Sequence, residues 1–312
     1  MYNISNLLRG GNMNNNKNNP QITFLTESEA LSLKEFGEHY TKAPLSDFSI
    51  VLGASVDDSQ TCDSYDSNDR PGKYWTQTYR TTDGVTVINY VGNKENVCCK
   101  YRGAAGRPVL IFEEDSFIPY TNKKDTKNEI QYGEYPQTIA DTSINLLLTG
   151  KLEETGKIYT VDSKKYDEYK EEFCPIELTE YEYDGQKYVK ATVNPDEDKD
   201  FVILSDGNKY KKGEEVWIKV EPITWIEKEK NKYLSKKCLF AGIRFDKKDK
   251  PYYDFKFKDT EINYFLQVHF VKNIIPKNHI KGIEYKTINN FIYVDKDGNK
   301  KRNIKISVKI KK

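Results

Sequence analysis

The feature that most constrains this chain is its punctuation. Short apolar or alternating runs are separated by turn-forming groups: Asp83-Gly84, Gly92-Asn93, Asp184-Gly185, Ser205-Asp206-Gly207 and Asp295-Lys296-Asp297-Gly298-Asn299. Such groups supply the positive-φ positions that tight hairpins require, so the chain must fold largely as antiparallel strands. Lys73–Thr78, Val85–Tyr90, Asn96–Tyr101 and Arg107–Phe112 read as one meander of short strands. Glu129–Pro136 reads as extended, Tyr181–Lys187 and Tyr188–Val193 as a hairpin, and Phe201–Leu204 with Tyr210 as another. Val216–Ile226 is the most apolar strand, and Tyr233–Phe240 is expected to pair with it.

Helical spacing occurs only in short pieces. Thr26-Glu27-Ser28-Glu29 has the form of a capping box, with Ala30, Leu33 and Phe36 as the apolar face and Gly37 as the stop. A second helix is expected from Ser46 or Asp47 to Gly53, and a third over Ser143–Thr149. Ile262–Phe270 places Ile262, Phe265, Leu266, His269 and Phe270 at helical intervals. The fold class is therefore α+β. Residues 1–21, rich in Asn, are expected to form a disordered tail, and 55–73 a turn-rich loop. Beyond Pro276, Phe291–Val294 and Ile304–Ile310 predict a β-hairpin extension over 277–312.

The charge balance of 49 basic to 48 acidic residues leaves no net field to attract nucleic acid or an anionic membrane, and neither is expected as a partner. No apolar run approaches the roughly 20 residues that span a bilayer, and the N-terminus lacks the apolar core of a signal peptide. Five cysteines, irregularly spaced, argue against a disulfide framework and for a reducing, cytoplasmic setting. In Cys98-Cys99, neighbouring strand positions imply one core and one surface thiol. The acidic loop Asp57–Asp69 does not have the spacing of an EF-hand, and His39, His269 and His279 sit in no metal-ligand pattern. No catalytic residue, metal ligand or cofactor is expected. Lys300-Lys301-Arg302 and the lysines that follow suit an edge strand, and the hairpin carrying them offers a contact for homo-oligomers.

Two groups of motifs bear a resemblance. One runs Thr23-Phe24-Leu25-Thr26-Glu27, Ala43-Pro44-Leu45-Ser46-Asp47-Phe48-Ser49, Lys73-Tyr74-Trp75-Thr76-Gln77-Thr78 and Gly106-Arg107-Pro108-Val109-Leu110. The other is Gln131-Tyr132-Gly133-Glu134-Tyr135-Pro136-Gln137-Thr138 followed by Val220-Glu221-Pro222-Ile223-Thr224-Trp225. Together they resemble a bacterial and phage C-type-lectin-like domain family related to sulfatase-modifying enzymes and similar to the variable proteins of diversity-generating retroelements. The resemblance covers about 22–276, as a block over 22–113 and a block over 129–276. Their order is the reverse of that in typical relatives. It implies a lectin-like domain in permuted order, or two smaller domains, and a cytoplasmic or virion location.

The resemblance also implies a function: recognition of a protein or glycan by solvent-facing residues between Gln77 and Ala105. There the sequence offers Tyr79, Arg80, Asn89, Tyr90, Asn93, Asn96, Lys100, Tyr101 and Arg102, the mixture of amphipathic rings and adaptable polar groups found in paratopes. Trp75, Trp217 and Trp225 read as core anchors. Arg107 and Pro108 read as structural, the arginine forking onto a buried carboxylate for which Glu221 is a candidate. The alternatives are a structural or assembly protein, and a degenerate enzyme of the sulfatase-modifying type.

Overall fold

The computed structural model describes residues 20–56, 70–80, 84–112, 129–141, 152–162, 175–196, 199–246, 255–274, 283–294 and 300–310. The chain divides into two compact units, Met1–Ile275 and Pro276–Lys312. Most of the expected tail, the acidic loop, the helix over Ser143–Thr149, Cys62, Cys174 and His279 lie outside the described residues.

In the first unit the N-terminal signals are realised locally. Thr26 is extended, its hydroxyl accepts the Glu29 amide, and the Glu29 carboxylate accepts the Thr26 amide at 2.7 Å. This caps α1 (Glu27–Ser32), which tightens into a 3-10 turn over Leu33–Phe36 and stops at Gly37, where φ is 128°. Ala30 and Leu33 are buried, but Phe36 is 61 % exposed. The change from 3.6 to about 3 residues per turn rotates it off the apolar face. After α2 (Glu38–Thr41), Ser46 caps α3 (Asp47–Val51) by accepting the Ser49 amide at 3.1 Å.

The strands are β1 (Gln21–Thr23), β2 (Ala43–Pro44), β3 (Pro71–Gly72), β4 (Tyr74–Arg80), β5 (Gly84–Ile88), β6 (Lys94–Val97), β7 (Val109–Ile111) and β8 (Glu129–Ile139). There follow β9 (Glu153–Asp162), β10 (Pro175–Tyr183), β11 (Gln186–Thr192), β12 (Phe201–Ile203), β13 (Lys209–Lys211), β14 (Glu215–Glu229) and β15 (Lys232–Ser235). The main sheet runs β1-β7-β15-β14-β11-β10-β9, with β8 also paired to β14. Every pairing between these strands is antiparallel. Ile218 pairs with both Val189 and Ile139, and Trp225 with both Ser235 and Ile130. So β8 covers one edge of β14, while β11 and then β15 share the other. β1 begins at Gln21, which pairs with Ile111, so the last residue of the expected tail lies in the main sheet.

The meander differs from expectation. It keeps three strands, β4-β5-β6, and β7 joins the main sheet instead of closing it. The crossing is made at Gly106, which exchanges backbone hydrogen bonds with Phe240 and Leu239; a Cβ there would lie 2.1 Å from the Phe240 ring. The third strand lies at Lys94–Val97 rather than Asn96–Tyr101, because Tyr101 donates to the Cys98 carbonyl and makes that stretch a turn.

The core fills between sheet and helices. Glu261–Tyr264 (α4), a π-helical turn over Phe265–Phe270 and Val271–Ile274 (α5) bury Ile262, Phe265, Leu266 and Phe270, with His269 half-buried beside them. Phe240 meets Phe265 at 4.8 Å and Phe270 at 5.2 Å, and Phe270 meets Tyr135 at 5.0 Å. These tilted contacts suit aromatic quadrupoles. Ala140, Tyr188 and Trp217 form a separate buried cluster, with Tyr181 edge-on to Trp217. Asp47 ties distant segments together: its carboxylate accepts from Ile139 and Ser205 amides, each at 2.8 Å, from the Ser205 hydroxyl, and from Arg70 at 2.9 Å.

The second unit is a two-stranded antiparallel hairpin of β16 (Ile283–Val294) and β17 (Lys300–Ile310), with a bulge between Lys286 and Asn289. Among the described residues no helix is long and apolar enough to cross a membrane. The architecture is α+β, mostly antiparallel strands with few helices.

Candidate functional site

β5 is the buried middle strand of the meander: Val85, Thr86, Val87 and Ile88 are all inaccessible. β6 is its free-standing edge within that sheet and alternates, exposing Lys94 and Asn96. The turn entering β6 is fixed by Asn89, whose side-chain oxygen accepts the Val91 and Asn93 amides at 3.2 and 3.0 Å. The turn leaving it presents Cys98 and Lys100 to solvent and buries Cys99, whose carbonyl accepts the amides of Phe245 and Asp246. The two thiols diverge as expected, though through a turn rather than strand alternation.

The nine residues singled out from sequence separate into three groups. Arg80, Asn93, Asn96 and Lys100 are exposed, and Asn89, Tyr90 and Tyr101 are half-buried. Tyr79 and Arg102 face inward, which corrects the expectation that both are solvent-facing. Tyr79 stacks on Phe255 at 4.6 Å, and Arg102 donates to the Gly242 carbonyl at 2.9 Å. Strand alternation alone does not reveal this, because the covering residues come from beyond position 240.

Electrostatics tie this surface to α1. Glu27 accepts from Arg80 at 2.6 Å, from Lys94 at 3.1 Å and from the Thr86 hydroxyl at 3.1 Å. Burial would raise its pKa, but these hydrogen bonds and the Arg80 charge outweigh it and hold the carboxyl below its ordinary value. Tyr101 lies edge-on to Trp75 at 6.3 Å and reaches Asp196 at 3.4 Å. Burial, reinforced by the Asp196 charge, pushes its phenol up to about 12, so it remains a hydrogen-bond donor.

The residues expected to be structural are deeply placed. Trp75 and Trp225 are inaccessible; the Trp225 indole donates to the Tyr132 carbonyl at 2.8 Å. Pro108 is buried, and its carbonyl accepts the Ser235 amide. Arg107 is buried but forks onto backbone rather than a carboxylate: it donates to the Ser235 and Tyr40 carbonyls at 3.1 and 2.8 Å and lies over the Tyr74 ring at 5.3 Å. Glu221 instead accepts from the Thr138 hydroxyl at 2.6 Å. Carbonyls satisfy a buried guanidinium as acceptors, and no sequence pattern distinguishes them from an acid.

Sequence reasoning missed a cleft of about 300 Å³ where β8 and β14 part, lined by Gln131, Gln137, Glu221, Thr224 and Lys237 over Ile223. The register breaks here between Pro222 and Thr224. The signals were a proline, which cannot donate to a ladder, and Gly133 on the facing strand. Among the described residues no group of three or more His, Cys, Asp or Glu side chains is placed to hold a metal ion. Comparison of the chain with protein-family models, curated proteins and solved structures found no match.

Proposed function

We propose that this chain is a non-enzymatic recognition protein, a lectin-like scaffold in permuted order that offers the β6 edge of its meander to a protein or glycan. The observation that supports this most is the mounting of that edge. Exposed Asn93, Asn96 and Lys100, with half-buried Tyr90 and Tyr101, stand on a strand pair whose inner member is buried. A surface held this way loses little conformational entropy on binding, and Tyr, Asn and Lys supply rings and adaptable hydrogen bonds. Arg80 contributes mainly to scaffold, because Glu27 engages it through two of its nitrogens.

The test is capture from host lysate by the wild type and by a Tyr90→Ala/Asn96→Ala/Lys100→Ala variant of equal melting temperature. The expected outcome is a partner retained by the wild type and lost by the variant. Identical capture by both, or none by either, would refute the reading.

A further inference from the structure

We propose that the cleft between β8 and β14 is a second binding site, for one neutral, hydroxyl-rich sugar ring. Three observations converge there. First, the protein leaves the hydrogen-bonding capacity of the lining open. Among the described residues the side chains of Gln131, Thr224 and Lys237 have no partner, and Gln137 and Glu221 each keep one side-chain oxygen unused. Two other lysines of this unit, Lys187 and Lys232, are paired, with Glu134 and Glu29.

Second, two of the groups, Gln137 and Glu221, are held in place from behind. Gln137 is 6 % exposed, and its amide nitrogen clamps the Glu221 and Pro222 carbonyls at 3.0 and 3.1 Å. Thr138 pins one Glu221 oxygen. Such fixed supports are what a pre-organised site requires.

Third, the chemistry selects the ligand. Lys237 donates, Glu221 and the free Gln137 oxygen accept, and Gln131 and Thr224 do both. The remaining cleft lysine, Lys236, is neutralised by Glu129 at 2.9 Å, so the lining charges cancel. The Glu221 carboxylate disfavours anions and the Lys237 ammonium disfavours cations. A ring of hydroxyls, each donor and acceptor, satisfies both. Ile223 and Leu239, each 1 % exposed, back the lining from the core side. The volume lies at the small end of ligand pockets, which run from about 300 to 1,000 Å³, and admits one ring.

Saturation-transfer NMR on the full chain tests this with millimolar glucose, galactose, mannose, fucose and N-acetylglucosamine, against glycine and acetate. At least one sugar is expected to receive saturation from the wild type, and to lose it in a Gln131→Ala/Lys237→Ala variant and in Thr224→Val, with melting temperatures unchanged. The Tyr90→Ala/Asn96→Ala/Lys100→Ala variant is expected to retain it. The proposal is overturned if no sugar responds, if glycine or acetate responds in place of sugars, or if only the meander variant abolishes the signal. That last outcome would place sugar binding on the β6 edge and leave the recognition reading intact.

Discussion

Two tyrosines pack edge to face at 5.5 Å, yet their hydroxyls meet opposite fates. The Tyr159 hydroxyl donates to the buried Glu180 carboxylate at 2.6 Å, while the Tyr135 hydroxyl is buried with no partner among the described residues. Leaving a buried hydroxyl unsatisfied costs about 1–3 kcal/mol, and a hydrogen bond to a charged group contributes a similar amount. Tyr135→Phe is therefore expected to stabilise the protein by about 1 kcal/mol, and Tyr159→Phe to destabilise it by about 2 kcal/mol. Urea titrations read both; equal losses in the two variants would refute the assignment. Neither difference is visible in sequence, where nothing local to either tyrosine marks its partner. What sequence does reveal at this scale is local: Thr26 and Glu29 satisfy each other within one turn, so their spacing suffices to identify them. Tyr79 and Arg107 owe their roles to partners far along the chain, at Phe255 and Ser235.

Among elements, the bulged pair β8–β14 depends on Gly133. Its φ is +70°, and a Cβ there would lie 2.3 Å from the Ile274 carbonyl oxygen at the end of α5. Gly133→Ala is expected to destabilise by more than about 1 kcal/mol, through strain and through displacement of that helix end. A melting temperature equal to wild type would show the contact to be unimportant. The hairpins were legible because Asp184-Gly185 sets its own geometry, with φ of 50° and 75° in succession. The fate of β7 was not legible, since its neighbours β1 and β15 lie far away in sequence and no local signal ranks them above β6.

For the molecule as a whole, the buried titratable groups define a pH window. Burial, aided by Lys272, lowers His269 from 6.5 to about 4, so its contribution is complete above pH 6.5 and is lost as pH falls toward 4. Glu27 and Glu29 are also depressed despite burial, and add losses below the ordinary carboxylate range. At the other end, burial raises Tyr74, Tyr101 and Tyr132 from 10.0, and Cys238 from 9.0, each to about 12. Their contributions are complete below the unfolded values and are lost as pH climbs toward 12. Melting curves are expected to plateau between about pH 6.5 and 9 and fall on both sides. Stability still rising from pH 9 to 11 would contradict the burial of these groups.

The position of β7 also bears on how the chain is made. One of its edges can be filled by β1 as soon as Ile111 emerges from the ribosome, but the other waits for Lys232–Leu234. Throughout that interval the nascent chain carries an unpaired strand edge, the kind of surface that invites mispairing between neighbouring chains. Elongation beyond β7 is thus the stage at which this protein most needs either rapid translation or a chaperone holding it.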